Sequence, residues 1–332
     1  MLGGYKAVGL VSGGLDSILA LRLVLEQGFE VTAVNFTTPF LANRGGYSHL
    51  ERICKQLGVK LRRVTPGRDY IEMIKAPKHG YGKALNPCVD CRIFFLLQAK
   101  HIMEELGAEF IFTGEVLGQR PMTQRRDTMR IVERESGLDG RLLRPLCAKL
   151  MKPTIPEREK IVDREKLLAI SGRSRREQMR LAQQWGITDY PSPAGGCLLT
   201  DSQFAQRLKD LFKHHQDSAE QIELLRLGRH FRLNPQTKLI CGRNAEENEK
   251  LAQLASDEEL KLGVKGGRST LAVLFGWPEP SSVQTAARIC ARYSHHRELH
   301  KVEVEFWKTD RNTANTIAAQ PMSDQELEQI RI

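Results

Sequence analysis

The chain reads KAVGLVSGGLDS from Lys6 to Ser17, and this stretch decides the fold. The run from Lys6 to Val11 is short and apolar and contains β-branched valines, which favours a buried strand. From Asp16 onward, apolar residues recur at helical spacing until Gly28, a residue typical of a helix end. The stretch therefore predicts a strand, a tight turn and a helix in immediate succession.

The turn between the predicted strand and helix has the composition of a phosphate-binding loop. Gly13 and Gly14 allow the backbone to turn tightly and to bring its N–H groups against an anion. The helix that begins at Asp16 directs its N-terminus at the same place, and Ser12 and Ser17 add hydroxyl donors. No lysine occupies the loop, so it is not of the G-x-x-x-x-G-K-[ST] type. A strand-to-helix turn capped by an aspartate has a similar composition, and composition alone leaves both interpretations open.

Strand-like and helix-like segments alternate downstream of this loop. The residue pattern predicts strands at 31–36, 59–64 and 110–113, and helices at 48–57 and 92–106. Strands that alternate with helices of this length indicate a mostly parallel sheet covered on both faces. We therefore expect an α/β, doubly wound fold for this part of the chain.

The composition changes near residue 190, where the sequence YPSPAGGC is typical of a loop. Helix-like and strand-like segments alternate beyond it: helices at 202–214, 245–254 and 281–293, and strands at 238–241, 269–275 and 301–307. We expect a first domain at residues 1–200, a second, smaller α+β domain at 201–308, and a polar, poorly ordered tail at 309–332.

The bulk composition is that of a globular protein with about two domains of roughly 150 residues. The chain has 332 residues, of which 41% are hydrophobic and 27% charged. Its N-terminus lacks the pattern of a signal peptide, and no apolar run approaches the roughly 18 residues of a membrane span. The sequence therefore predicts a cytoplasmic protein with no membrane partner, whose seven cysteines stay reduced.

The positive charge of the chain is concentrated in one segment. The formal net charge is +10, and residues 118–180 contain 17 Lys and Arg against 9 Asp and Glu. Such an excess is typical of a surface that binds a polyanion. An arginine-rich, solvated helix surface would have the same composition, and charge alone does not separate the two.

Three cysteines stand apart from the other four. Cys88 and Cys91 form a C-x-x-C at a predicted helix start, and Cys197 follows two glycines. A thiolate in such positions gains from helix N–H groups and is accessible to substrate. The spacing is compatible with a zinc site, a redox pair or an iron–sulfur cluster, and it does not decide among them. The remaining cysteines lie in apolar or helical segments and are expected to be small buried side chains: Cys54, Cys147, Cys241 and Cys290.

The loop motif resembles a known superfamily of ATP-dependent enzymes. The pattern S-G-G-x-D-S at residues 12–17, placed at the first strand-to-helix turn, is similar to the loop of PP-loop ATP pyrophosphatases. The resemblance implies that ATP is cleaved between its α- and β-phosphates and that the substrate becomes adenylated. It also implies that the loop holds the pyrophosphate and that Asp16 assists through Mg²⁺.

Further motifs resemble the tRNA 2-thiouridine and 4-thiouridine synthetase families. One is N-P-C-x-x-C at residues 86–91, followed by G-G-C at 195–197. Residues 112–119 together with Gln124 resemble the T-G-E-x-L-G-Q…Q signature of 4-thiouridine synthetases, and residues 143–146 resemble their R-P-L segment. The resemblance implies a tRNA sulfurtransferase that adenylates a uridine carbonyl and replaces its oxygen with sulfur. Whether the product is 4-thiouridine or 2-thiouridine stays open.

The same resemblance assigns roles to individual residues. The expected contacts of the adenylate, beside the loop itself, are Gly114, Gln119 and Gln124. The target base must leave its stack to reach the site, so the surrounding RNA must be held by basic side chains. The candidates for this role are Arg120, Arg173, Arg175 and Arg176.

The resemblance implies two alternatives for the sulfur. In persulfide-using relatives, one cysteine of the first loop carries the sulfur and the distant cysteine resolves it, which here corresponds to Cys91 and Cys197. In relatives with three such cysteines, all three bind a [4Fe-4S] cluster. Because Cys88 is present in addition to the other two, the cluster is favoured. The expected catalytic residues are then Asp16, Cys91 and Cys197, and the expected cluster ligands are the three cysteines.

The sequence departs from those families at both ends. The loop begins at residue 12, so we expect no preceding THUMP-type domain, and no rhodanese domain is evident after residue 200. The second domain is instead similar to the RNA-binding module of NFACT proteins. We expect tRNA as the partner and a sulfur donor such as a cysteine desulfurase or inorganic sulfide. A sulfur or nitrogen transferase for a small molecule, or a non-catalytic RNA-binding protein, are the alternatives.

Overall fold

A computed structural model describes residues 4–41, 47–190, 196–266 and 270–332. The chain forms two compact units, Met1–Thr200 and Asp201–Ile332. Within the described residues, no helix combines the length and the apolar character that crossing a membrane requires.

The first unit alternates strands and helices in the order expected from the sequence. Its strands are β1 (Lys6–Leu10), β2 (Glu30–Phe36), β3 (Lys60–Val64), β4 (Phe110–Thr113) and β5 (Leu142–Leu143). Its helices are α1 (Leu15–Leu25), α2 (Tyr47–Gln56), α3 (Arg68–Lys75), α4 (Cys88–Leu106), α5 (Arg126–Glu135), α6 (Ile155–Arg158) and α7 (Arg176–Gln184). Helix α4 begins earlier than the predicted residue 92, so the C-x-x-C motif lies in its first turn.

The strands form one parallel sheet in the order β3-β2-β1-β4-β5. Helices α1 and α7 pack on one face of the sheet, and α4 and α5 pack on the other. The prediction of a doubly wound α/β fold is therefore confirmed. The strand order reverses between β1 and β4, and open α/β sheets bind ligands outside the carboxyl ends of the strands at such a switch point.

The side chains of β1 explain why both faces are covered. Ala7 packs into the cluster that contains Leu19 of α1, while Val8 packs into the cluster that contains Leu96 of α4. Successive side chains of a strand point to opposite faces, so a strand buried on both sides is continuously apolar. Residues 6–11 are almost continuously apolar because β1 is the central strand of the sheet.

The second unit is built on an antiparallel sheet in the order β11-β10-β8-β9-β7-β6. Its strands are β6 (Arg229–Asn234), β7 (Thr237–Cys241), β8 (Leu260–Val264), β9 (Ala272–Gly276), β10 (Val302–Trp307) and β11 (Asn315–Ala319). Its helices are α8 (Ser202–Lys213), α9 (Ala219–Leu224), α10 (Ala245–Leu254), α11 (Pro280–Arg292) and α12 (Asp324–Ile330). The smaller α+β unit expected after residue 200 is therefore present.

The expectation of a polar, poorly ordered tail at residues 309–332 was wrong. This segment contains β11, which pairs with β10, and α12, whose Leu327 is buried. Ala319 and Met322 also pack into the core of the unit. The composition was misleading because β11 is an edge strand with mostly exposed side chains, and α12 buries only one side.

Candidate active site

The phosphate loop lies between β1 and α1, at the carboxyl end of the central strand. Gly13 has a φ of 81°, a left-handed conformation that glycine adopts at little cost. Gly14 is the N-cap of α1 and provides no capping side chain. The Ser17 hydroxyl donates to the Gly14 carbonyl at 2.7 Å, and the Gly14 N–H donates to the Ser12 hydroxyl at 3.4 Å. The loop is thus closed by its own serines, while the N-terminus of α1 faces the space outside β1.

Gly114 supports the loop from the neighbouring strand. It follows β4, and a Cβ atom at this position would lie 2.5 Å from both the Ser17 backbone nitrogen and the Asp16 carbonyl carbon. Real Cβ atoms do not approach backbone so closely, so only glycine allows this contact. Gly114 therefore lies behind the first turn of α1 and fixes the loop against β4.

A chain of side-chain amides orients the loop aspartate. Gln178 donates from Nε2 to Oε1 of Gln119 at 3.1 Å, and Gln119 donates from Nε2 to Oδ2 of Asp16 at 2.7 Å. Gln178 lies on α7 and is completely buried. The other carboxylate oxygen of Asp16, Oδ1, is buried and has no hydrogen-bond partner among the described residues. One oriented, uncompensated carboxylate oxygen beside a phosphate loop fits the hard oxygen ligand that Mg²⁺ prefers.

A histidine that the sequence analysis did not select lies beside the loop. His49 on α2 is 7% exposed, and its Cδ2 atom is 3.9 Å from the position that a Cβ of Gly13 would occupy. Its Nδ1 atom is 3.0 Å from Oδ2 of Asp189, which also accepts a 2.7 Å hydrogen bond from Arg52. Its Nε2 atom is buried without a hydrogen-bond partner in the part of the chain that the structure describes. Nothing in the local sequence distinguishes this residue from other helix histidines.

The three selected cysteines come together at the same end of the sheet. Cys88 and Cys91 occupy the first turn of α4, and Cys197 forms an antiparallel bridge with Leu41. Gly195, the first residue of the G-G-C motif that ends at Cys197, lies outside the described residues. The Cys88 thiol donates to Oδ1 of Asn86 at 3.0 Å. All seven cysteines are free, and the four that we expected to be small buried side chains are buried.

All three thiols have a raised pKa, and burial is the main cause. Burial raises the pKa of Cys91 to about 12, and the charges of Cys197 and Cys88 act in the same direction. Burial also raises the pKa of Cys197, with a further contribution from Cys88. Burial also raises the pKa of Cys88. The hydrogen bond to Asn86 and the positive charge of Arg120 act in the opposite direction and lower it.

Tyr70 is a second residue that the sequence did not indicate. Its hydroxyl is 3.2 Å from the sulfur of Cys91, and the side chain is 2% exposed. Its ring contacts Phe94 and Phe95 on α4, at centroid distances of 5.2 and 5.4 Å. Tyr70 thus fixes the position of the Cys91 sulfur from the direction of α3.

Three soft thiol ligands at one place fit the chemistry of an iron–sulfur centre. Among the described residues, no three His, Cys, Asp or Glu side chains are arranged as a metal site, and the thiols of Cys88 and Cys91 are directed at Asn86 and Tyr70. Binding a metal through Cys88 therefore requires its thiol to give up the Asn86 contact, whereas the Tyr70 hydroxyl can donate to a deprotonated Cys91 sulfur.

A buried ion network connects α4, the helix that carries Cys88 and Cys91, to the segment that follows β4. Glu115 is 3% exposed and contacts Arg92 of α4 at 3.2 Å and Arg144 at 3.1 Å. The two arginines are the main reason that the pKa of Glu115 is lowered despite its burial. Arg144 also contacts Glu133 at 3.4 Å. The glutamate of the T-G-E motif and the arginine of the L-R-P-L segment therefore pair with each other, and Glu115 could have been selected from its motif.

The segment after Gly114 closes into a short loop beside the cysteines. The N–H of Gly118 donates to the carbonyl of Gln124 at 2.7 Å, and the Gln124 side chain is 4% exposed with Oε1 unpartnered among the described residues. Arg120 at the tip of this loop is exposed. The backbone of Gln124 therefore helps to close the loop and its side-chain oxygen lacks a protein partner, while Arg120 is exposed to a ligand.

The remaining predicted RNA contacts precede helix α7. Arg173 and Arg176 are exposed, whereas Arg175 is partly buried and occupies the N-cap position of the helix without a capping hydrogen bond from its side chain. Their segment is joined to the Gln119 loop, because the N–H of Gly172 donates to the Leu117 carbonyl at 2.8 Å. The segment that carries these arginines therefore lies beside the segment that carries Gln119, and it leads into the helix that carries Gln178.

The sequence of the first unit agrees with an established family model. Residues 4–166 match the model described as thiamine biosynthesis protein (ThiI), and this match contains the loop at 12–17 and both cysteines of the C-x-x-C motif. The first unit belongs to the PP-loop superfamily. The match to this PP-loop domain ends before Cys197. Residues 228–331 match a second model, the NFACT protein RNA binding domain, which confirms the resemblance seen in the second unit.

Curated relatives match part of the chain. The mitochondrial tRNA-specific 2-thiouridylase 1 of Drosophila melanogaster is 34% identical over 116 residues, which are 31% of this chain and 30% of the relative. A probable tRNA sulfurtransferase of Thermococcus kodakarensis is 30% identical over 168 residues, 48% of this chain and 39% of the relative. The chain thus spans about a third of the length of these relatives.

One solved structure with a similar arrangement is a 4-thiouridine synthetase–RNA complex with bound ATP. It is 22% identical, with a TM-score of 0.40, and the alignment covers 67% of this chain and 52% of that chain.

Proposed function

We propose that the chain is an ATP-dependent tRNA sulfurtransferase, which adenylates a uridine carbonyl and replaces its oxygen with sulfur. The observation that carries this proposal is that a phosphate loop and a group of three thiols lie at the same end of one parallel sheet. Glu115 joins the two parts, since it follows the strand beside the loop and contacts Arg92 of the cysteine helix. The curated relatives with thiouridylase and sulfurtransferase names support the same chemistry.

The first half of the reaction uses the loop. The pyrophosphate of ATP would bind residues 12–17, whose backbone N–H groups and helix N-terminus favour negative charge. Asp16 would hold Mg²⁺ through its unpartnered Oδ1, and the ion would neutralise charge on the phosphates. Gln119 and Gln178 keep the carboxylate in one orientation. The uridine carbonyl oxygen then bonds to the α-phosphorus, and pyrophosphate leaves.

The second half of the reaction uses the thiols. The adenylated oxygen is a good leaving group, so a sulfur nucleophile adds to the ring carbon and AMP departs with the former carbonyl oxygen. Cys88, Cys91 and Cys197 would hold a [4Fe-4S] cluster, which supplies an open iron that can carry the incoming sulfide. A persulfide relay needs two of these thiols, and the presence of Cys88 beside them supports the cluster. Tyr70 would orient the Cys91 ligand through its hydroxyl.

The partner of this reaction would be tRNA. The basic segment at 118–180 and the match of residues 228–331 to an RNA-binding domain both support a nucleic-acid substrate. Arg120, Arg173 and Arg176 would contact the RNA near the site, and Gly114, Gln119 and Gln124 would border the adenylate. A cysteine desulfurase or inorganic sulfide would donate the sulfur. The reaction needs reduced thiols, and we place it in the cytoplasm for that reason.

Nucleoside analysis tests the proposal directly. Unmodified tRNA is incubated anaerobically with the purified chain, ATP, Mg²⁺ and sulfide, then digested and analysed by mass spectrometry. We expect a thiouridine and stoichiometric AMP, and the chromatographic position of the product separates 4-thiouridine from 2-thiouridine. AMP formation that is independent of tRNA, with no thiolated nucleoside, would instead assign the domain to a small-molecule substrate.

A further inference from the structure

We propose that a basic pocket on the β5 edge of the first unit binds backbone phosphates of the RNA substrate; this inference rests on the proposed function. The pocket lies between α5, β5 and the segment that leads into α6. Four exposed cations line it, and Arg144 contributes to its wall. The four exposed cations are Arg126, Arg130, Lys152 and Arg158.

The carboxylates that line the pocket do not neutralise these cations. Glu133 pairs with the buried Arg144, and Glu157 pairs with Arg164, which does not line the pocket. Glu157 also accepts hydrogen bonds from the hydroxyl and the N–H of Thr154, at 2.6 and 2.7 Å. Asp139 is the one lining carboxylate without a cation partner among the described residues.

The four exposed cations are without acidic partners of their own. Arg126 donates to the carbonyl of Leu150 at 3.1 Å and Arg158 to the carbonyl of Pro153 at 3.0 Å, which leaves both positive charges uncompensated. Arg130 and Lys152 have neither a hydrogen bond nor an ion pair within the described residues. Four uncompensated cations around one concave surface, against one free carboxylate, create a positive potential that favours a polyanion.

The pocket is held by structure that does not depend on a ligand. Arg126 and Arg130 are four residues apart on α5, so their side chains extend from one face of the helix. The opposite wall begins with the capping box of α6, formed by Thr154 and Glu157. The cations are therefore positioned in advance, which lowers the ordering cost of binding.

The position of the pocket fits a strand of RNA that enters the active site. Arg126 and Arg130 lie in the first half of α5, shortly after the loop that carries Arg120. Arg144, in the pocket wall, contacts Glu115 beside the phosphate loop. Phosphates that flank a flipped uridine could thus bind here, while the base reaches the loop and the thiols. Phosphate contacts of this kind hold the substrate in register and carry no sequence information.

The test is a double variant, Arg130→Ala with Lys152→Ala. Binding of an unmodified tRNA is measured by fluorescence anisotropy across a range of salt concentrations, beside the KM for ATP. Each lost phosphate contact should lower the magnitude of the salt slope by about one, so we expect a decrease of about two and an affinity roughly 10-fold weaker at low salt. The KM for ATP should not change.

The matched control is Arg22→Ala with Lys60→Ala. These cations are paired with Glu26 and Glu30 and lie at the amino end of the sheet, and the control removes the same net charge. It should retain the wild-type salt slope.

Two results would overturn the inference. Equal salt slopes and affinities in the double variant and the control would show that the pocket does not contact RNA. An unchanged tRNA affinity with a raised KM for ATP would assign it to nucleotide phosphates. Failure of the proposed function is distinct, because the wild-type chain would then form no thiouridine in tRNA, whatever the salt slopes of the variants.

Discussion

Gln119 donates a 2.7 Å hydrogen bond from Nε2 to Oδ2 of Asp16, across 103 positions of sequence. The bond joins the T-G-E-x-L-G-Q segment to the phosphate loop, two motifs that are far apart in the chain. Gln178 extends the arrangement to α7. The two motifs are therefore parts of one site, in which Oδ1 of Asp16 remains available to a cation.

The first prediction concerns this carboxylate. Asp16→Ala should abolish AMP formation, because the loop would lose the carboxylate that we propose as the ligand for Mg²⁺. The free energy of unfolding should change by no more than about 1 kcal/mol, the size of a helix N-terminal charge effect. Asp16→Asn keeps an acceptor for Gln119 and should be nearly as inactive, since the charge is lost. AMP formation within a few-fold of wild type in either variant would contradict the phosphate-loop assignment.

A second prediction concerns His49, whose Nε2 has no partner beside Gly13. We expect this nitrogen to donate to the bound pyrophosphate, while the Asp189 carboxylate lies 3.0 Å from Nδ1. A hydrogen bond to a charged group is worth about 1.5–3 kcal/mol, so His49→Ala should raise the KM for ATP by roughly 10-fold or more. His49→Gln, which can present an amide N–H at a similar distance, should recover part of the loss.

The control for this prediction is His101→Ala. Its side chain is 75% exposed and its partner is Glu104, so the variant should behave as wild type. Equal KM values for His49→Ala and His101→Ala would show that His49 has only a packing role.

The ion network around Glu115 predicts a large effect on stability. Glu115→Gln leaves Arg144, which is 3% exposed, with Glu133 as its remaining carboxylate. Breaking a buried ion pair costs about 3–5 kcal/mol, and we expect a loss near the lower value in denaturant unfolding. The exposed pair of Arg62 and Glu105 is the comparison, and Glu105→Gln should cost less than about 1 kcal/mol.

The same network gives a pH dependence of known sign. The pKa of Glu115 is lowered in the folded chain, so the pair stabilises the fold above the ordinary glutamate pKa of about 4.3. This contribution is lost as the pH falls from there toward the folded pKa. The stability difference between wild type and Glu115→Gln should therefore decrease in that range, and a difference that grows on acidification would refute the assignment.

The exposed arginines before α7 predict a selective loss of RNA binding. Arg173→Glu with Arg176→Glu should weaken tRNA affinity and lower the salt slope, because two phosphate contacts become repulsive. ATP binding should be unaffected, since neither residue contacts the loop. The same reversals at Arg22 and Lys60 provide the comparison. A similar decrease in both double variants would indicate an effect of net charge alone.

The sequence predicted the fold well because its signals are local. The apolar run at 6–11, the glycine turn and the helix ended near Gly28 are each determined by neighbouring residues. The positions of His49, Tyr70 and Gln178 could not be predicted in this way. Each is brought to the site by packing of a separate helix, and a lone polar residue on an amphipathic helix has no local signature.

The error at residues 309–332 has a related cause. An edge strand such as β11 is stabilised by backbone hydrogen bonds to β10, which do not depend on side-chain type. Its exposed side can be polar without loss, so composition underestimates order at the edge of a sheet. In contrast, the four cysteines in apolar segments were correctly predicted to be buried, because their neighbours form the core.

The last prediction distinguishes the two routes for sulfur. The chain purified anaerobically should be brown and contain about four irons, as a three-thiolate [4Fe-4S] site requires. Replacing Cys88, Cys91 or Cys197 with Ala should remove the colour and stop thiolation. ATP–pyrophosphate exchange should survive, because the phosphate loop is a separate part of the site. Cys290→Ala is the control: its thiol is buried in the core of the second unit and should affect neither property.

The persulfide route makes the opposite forecast for one residue. In that route Cys91 and Cys197 carry and resolve the sulfur, so Cys88→Ala would remain active and iron-free protein would accept sulfur from a persulfide donor. Full thiolation by colourless protein would thus exclude the cluster and leave the sulfurtransferase assignment intact. Tyr70→Phe adds an independent readout: loss of the hydroxyl 3.2 Å from the Cys91 sulfur should alter the absorption spectrum of a cluster bound there. An identical spectrum would show that the Tyr70 hydroxyl does not contact a cluster ligand.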